Sequence, residues 1–147
     1  MSEAPEHQAV IRQWINKAEN DLRAAVQILK LQKDCPYDTV CFHSQQCAEK
    51  YLKALLILLG IDFPKTHDLT ALLVKMPPTL NLQTLFPAAS DLSPFAVDSR
   101  YPGGGWHQTR ADAAQALRLA RRIRKAVRAK LPRSVIQKDP TLRRRRS

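Results

Sequence analysis

Arg100 and His107 stand with six residues between them in SPFAVDSRYPGGGWHQ, a stretch whose three glycines and two prolines forbid a regular element. An arginine holds a phosphate through paired N–H donors, and an imidazole takes or gives a proton near neutral pH. Placed beside a helix N-terminus, which itself favours anions, the two are the parts of a metal-free ribonuclease. His107 would move the proton and Arg100 would stabilise charge on the phosphorane. Tyr101 and Trp106 flank the glycines and are placed to clasp a nucleobase or nucleotide. The structural alternatives are that Arg100 pairs with Asp98 or a helix C-terminus and that His107 is an ordinary loop residue.

The helix that follows this loop has a clear start. Thr109 with Asp112 three residues later matches the [ST]-x-x-[DE] cap, and Ala113, Leu117, Ala120, Ile123 and Val127 then form an apolar stripe. Arg118, Arg121, Arg122, Lys125 and Arg128 are expected on the opposite face, as contacts to RNA or nucleotide phosphates. Pro132 should end the helix. The domain is therefore drawn as residues 1–132, with 133–147 a disordered basic tail carrying four consecutive arginines. Up to residue 99 the net charge is −2, whereas residues 100–147 carry 15 Lys and Arg against 2 Asp and Glu. That asymmetry points to an acidic partner, nucleic acid being the usual one, though a solvated cationic face leaves the same trace.

These residues need a scaffold, and its axis is the stretch between Pro36 and Gly60. Proline suits the first helical position and glycine the place just past a helix C-terminus. Val40, Ser44, Cys47, Tyr51, Leu55 and Leu58 recur at steps of three and four and form a core seam. A second strip carries His43, Gln46, Lys50 and Lys53. His43, Gln46 and Lys50 are candidates for hydrogen bonds that fix the packing or a dimer interface. An earlier helix, about Gln8 to Gln32, is expected to lay Trp14, Ala18, Leu22, Ala25 and Leu29 against this axis with Arg12, Glu19, Arg23 and Lys30 outward. In IDFPKTHDL, Phe63 plugs the core, while His67 and Asp68 read as a turn and cap ahead of a short helix to Met76. TLNLQTLF and PAASDL read as short helices broken at Pro87.

The fold class is thus all-α, an antiparallel bundle of four to five helices. Hydrophobic residues make up 44% of 147, and the 4 glycines and few β-branched runs argue against sheet. No run approaches the roughly 20 apolar residues that span a bilayer, and MSEAPEHQAV lacks the pattern of a secretory leader, so a cytoplasmic protein is expected. Three cysteines, Cys35, Cys41 and Cys47, suggest neither a disulfide framework nor a metal site. No cofactor is implied. With 9 aromatic residues in all, most committed to the core, a base-stacking platform is poorly supported.

FHSQQCAEKYLKALL, then FPKTHDL, then SRYP, resemble in order and spacing the signature of the HEPN family over Trp14 to about Leu131. These are small helical domains of prokaryotic two-component operons and RNA-targeting systems. The resemblance implies a homodimer that brings two copies of an Arg-then-His motif together across a cleft to cut RNA without metal. On this chain the motif falls on Arg100 and His107, with the partner's His107 as the opposing acid. It also implies the toxin half of a pair with a minimal nucleotidyltransferase. The RYP form is similar to a second branch, whose members are non-catalytic and bind nucleotide or RNA, or hold the nucleotidyltransferase.

Overall fold

The computed structural model describes residues 5–96 and 107–136. Among these the chain forms six α-helices and no strand: α1 (Pro5–Leu29), α2 (Tyr37–Leu58), α3 (Leu69–Val74), α4 (Phe86–Leu92), α5 (Arg110–Arg128) and α6 (Arg133–Ile136). Short 3-10 turns occupy Pro78–Leu80, Gln83–Leu85 and Ser93–Ala96.

α2 is the axis. Pro36 holds the N-cap, one position earlier than expected, and its carbonyl accepts from the N–H groups of Thr39 and Val40. At the other end Gly60 adopts φ +69°, its N–H bonds the Ile57 carbonyl, and the Ile61 N–H bonds that of Leu56. This paired closure needs a left-handed residue, which glycine supplies without a Cβ clash. Between its ends α2 buries Val40, Cys41, Cys47, Ala48, Tyr51, Leu52, Leu55 and Leu56. The burial extends around the helix, because other elements cover it on several sides. Each large side chain so buried stabilises the fold by about 1.5–3 kcal/mol.

α1 runs antiparallel to α2, as the hydrogen bond from the His7 ring near its start to the Ile57 carbonyl near the end of α2 shows. Its inward face differs from the expected one. Ile11, Ile15, Ala18, Asp21 and Ala25 are buried, while Trp14, Leu22 and Leu29 pack along the margin of the core. The rotation brings Asp21 inward because α2 meets it with His43 and Lys50.

α5 begins with the full capping box, the Asp112 N–H on the Thr109 hydroxyl and the Thr109 N–H on the Asp112 carboxylate at 2.8 Å. The Arg110 guanidinium then donates to the carbonyls of Leu29 and Leu31, satisfying the exposed end of α1, and lies over the Tyr37 ring. With its start at the end of α1 and its final turn at Glu19, α5 runs antiparallel to α1 and parallel to α2. Its buried face is the expected stripe with Ala116 added.

Two boundaries lie near prolines. Pro87 lies in the first turn of α4, where its missing N–H costs nothing, so PAASDL forms a helix of its own as expected, beginning one residue earlier at Phe86. The bundle also runs past residue 132: α6 buries Val135, and the Ser134 carbonyl accepts from Arg12 on α1. The remainder of the expected tail, 137–147, lies outside the described residues.

Candidate functional site

Of the four loop candidates, Arg100, Tyr101 and Trp106 lie outside the described residues. His107 lies within them and is exposed, two residues ahead of the α5 cap. Its neighbour Gln108, which the sequence did not single out, carries a buried amide Nε2 with no hydrogen-bond partner among the described residues. A buried donor without an acceptor is uncommon, because leaving one unmade costs most of the desolvation of the group. The start of α5 itself is not an open anion site. Thr109 already caps it, and Asp112 sets a carboxylate against its positive end. The phosphate-holding role expected of that terminus finds no support in its geometry.

The outer face of α5 presents Arg118, Arg121, Arg122 and Lys125 to solvent. Arg118 is held by the Gln115 side-chain oxygen and Arg122 donates to the Thr84 carbonyl. Both partners are neutral, so no carboxylate among the described residues compensates these guanidinium charges there. Arg128 is a correction to the sequence reading. It turns inward, half-buried, and donates to Glu19 and to the Tyr51 hydroxyl at 3.2 and 3.1 Å. Arg124, one turn earlier, forks onto both oxygens of Glu19. Glu19, an outward position by periodicity, is the carboxylate that answers both arginines. Burial pushes its carboxyl upward, but the bonds from Arg124 and Tyr51 and the charges of Arg124 and Arg128 outweigh that, and it is held below the usual carboxylate range. Burial raises the Tyr51 phenol to about 12. The arginine spacing of four within α5 was the signal for this cluster, since one turn points both side chains at one place.

The polar strip of α2 resolves into two carboxylate-centred clusters. In one, the His43 ring N–H donates to Asp21 at 2.8 Å and Lys50 pairs with the other Asp21 oxygen. In the other, Glu49 accepts from Gln45, Lys53 and the His67 ring at 3.2, 3.1 and 2.9 Å. Gln46 joins it by donating to the Gln45 side chain, and Gln45 also donates to the His67 carbonyl. Lys53, expected on the exposed strip, is 8% exposed and lies 5.8 Å from the ring centres of Trp14 and Phe63. Gln45 and Glu49 entered the sequence reading only as letters of FHSQQCAEK, with no role, because each looks like an ordinary polar residue inside an apolar helix. Asp68 caps α3 as expected, accepting from the Thr70 N–H.

Cys41 and Cys47 are buried, and burial together with nearby carboxylates raises both thiols to about 12, so neither is a nucleophile. Among the described residues no group of three or more His, Cys, Asp and Glu is arranged to hold a metal ion. None of their helices is long and apolar enough to cross a membrane.

Comparison with known proteins agrees with this architecture. The chain is 31% identical, over 126 aligned positions covering 75% of it and 80% of the relative, to a Methanocaldococcus jannaschii protein named "Putative toxin MJ1304". Its fold superposes on the crystal structure of TT1696 from Thermus thermophilus with a TM-score of 0.74 and 32% identity, covering 82% of this chain and 98% of that one. ST0689, described as an archaeal HEPN homologue, superposes with a TM-score of 0.65 and 31% identity, covering 82% and 96%. The profile of the HEPN domain matches residues 11–130. The chain belongs to the HEPN family.

Proposed function

We propose that this HEPN protein acts on RNA as a toxin-like, metal-independent endoribonuclease, with Arg100 and His107 working across the cleft of a homodimer. The observation that carries the reading is the exposed His107 two residues ahead of the cap of a helix whose outer face carries Arg118, Arg121, Arg122 and Lys125. A proton-transfer group open to solvent at the start of a cationic helix suits a site that receives the RNA backbone. Arg118, Arg121, Arg122 and Lys125 supply charge for the strand's other phosphates without reading its sequence. The name of the Methanocaldococcus jannaschii relative supports the toxin reading, and a minimal nucleotidyltransferase is the partner that the family resemblance implies. Purified protein should cut labelled RNA in EDTA. His107→Ala and Arg100→Ala should each slow cutting by about 100-fold or more with unchanged melting temperature, and undiminished cutting by both variants would refute the assignment.

A second reading rests on α5 alone, since its outer face binds phosphate whether or not the loop is catalytic. In that reading the protein is a non-catalytic module that binds nucleotide or RNA, or holds the nucleotidyltransferase. Salt-sensitive RNA binding without cleavage would select it.

A further inference from the structure

The Glu49 cluster ends at the surface, and its outermost member is a histidine. The Glu49 side chain is 5% exposed and that of Lys53 10%, whereas the His67 ring is 60% exposed. Lys53 already balances the buried carboxylate, so His67 is not needed for charge neutrality. What Glu49 does for His67 is fix its chemistry. A carboxylate paired with lysine only accepts, so the ring nitrogen that faces it, Nδ1, carries the hydrogen. In the neutral ring Nε2 is then left as an acceptor. The backbone is pinned as well, because Gln45 holds the His67 carbonyl at 2.9 Å and the Thr66 hydroxyl accepts from the Asp68 N–H.

His67 lines an open groove of about 580 Å³ between α3 and α4, together with Asp68, Thr70, Ser90, Ser93 and Pro94. That volume lies within the range of small-ligand sites. Among the described residues no lysine or arginine lines it, so an isolated phosphate has nothing there to compensate its charge. The lining offers as acceptors the His67 Nε2 and the Asp68 oxygen not engaged by Thr70 and Ser93, beside the hydroxyls of Thr70 and Ser90, while the Ser93 hydroxyl is already bonded to the Leu69 N–H. Its complement is a ligand that presents hydroxyl donors. The cationic helix adjoins the same region, since Arg122 donates to the Thr84 carbonyl in the turn that leads into α4, the helix carrying Ser90.

We propose that this groove is a ribose subsite in which His67 Nε2 accepts the hydrogen bond donated by the 2′-hydroxyl of one nucleoside of the RNA, whose phosphates lie on the outer face of α5. The proposal rests on the RNA-acting reading above and gives that reading a means of telling RNA from DNA, because the 2′-hydroxyl is what differs between them.

The test is titration of the full chain, with isotope-labelled histidine, by adenosine, 2′-deoxyadenosine and inorganic phosphate, followed by the nuclear magnetic resonance signals of the His67 ring. Adenosine should shift those signals, and 2′-deoxyadenosine should bind at least tenfold more weakly. His67→Asn keeps an amide donor for Glu49 and removes Nε2, so it should retain the parent melting temperature and lose adenosine binding by tenfold or more. A His67 signal indifferent to adenosine, equal binding of the deoxynucleoside, or a response to inorganic phosphate alone would each overturn the proposal. The ring signals are read in the parent, so the test stands even if the variant folds poorly. An RNA-inactive parent that binds adenosine through His67 would sink the ribonuclease reading and keep the groove. A parent that cuts RNA while His67 ignores adenosine would do the reverse.

Discussion

Glu19 and Glu49 are both carboxylates drawn in from solvent, yet they end in different places. Glu19 is answered by Arg124 and Arg128, and the Tyr51 hydroxyl closes the cluster within the α1, α2 and α5 junction. Glu49 is answered by one buried lysine and by a histidine whose ring opens onto a groove. A cluster whose members are all turned inward acts to set helix packing. One that holds a single side chain rigidly at the surface also prepares that side chain to meet something else.

The comparison can be broken by substitution. Glu49→Ala leaves Lys53 almost buried without its anion and should destabilise the fold by about 3–5 kcal/mol in denaturant unfolding. A cost under about 1 kcal/mol would mean that Lys53 escapes to water and that the cluster does not organise this end of α2. Glu19→Gln strands two arginines that are each about a third exposed, so the expected loss is smaller, about 2–3 kcal/mol after allowance for solvent screening. Its pH dependence sharpens the contrast. Because the folded Glu19 carboxyl lies below its ordinary value of 4.5, the stability it contributes is complete above that value. It is lost as pH falls from there through the folded value. The Gln variant, uncharged throughout, should therefore show a shallower acid-side decline, and an identical slope would remove Glu19 from the account. The smallest effect on the fold belongs to Arg121→Ala, on the outer face of α5. Its stability should match the parent, while the slope of log affinity for RNA against log salt should fall by about 0.7 to 1.

Helix ends were legible in the sequence wherever one residue type has one local use. Gly60 closes α2 because only a left-handed residue completes that turn, and Thr109 with Asp112 opens α5 because their side chains satisfy each other's N–H groups. Helix faces were less legible. Periodicity placed Trp14 and Leu22 inward on α1, but the partner helix offers His43 and Lys50, and it is Asp21 that turns in to meet them. The same blindness put Lys53 and Arg128 on outer faces. A long cationic side chain looks solvated until the carboxylate opposite it is known, and those carboxylates lie 4 and 109 residues away in sequence. Pro87, by contrast, was legible: a residue without an N–H belongs in a first helical turn, and it stands in that of α4. For the site, the candidate His107 and the cationic positions of α5 were readable by type, whereas Gln108 acquires meaning only from its burial without a partner among the described residues.

The most direct test of the central claim compares His107→Ala and Arg121→Ala with the parent in single-turnover cleavage of one labelled RNA in EDTA, at saturating protein. The account predicts that His107→Ala binds the RNA as the parent does and cuts it about 100-fold or more slowly, whereas Arg121→Ala binds more weakly and cuts at the parent rate once bound. Cleavage by His107→Ala at the parent rate would contradict it.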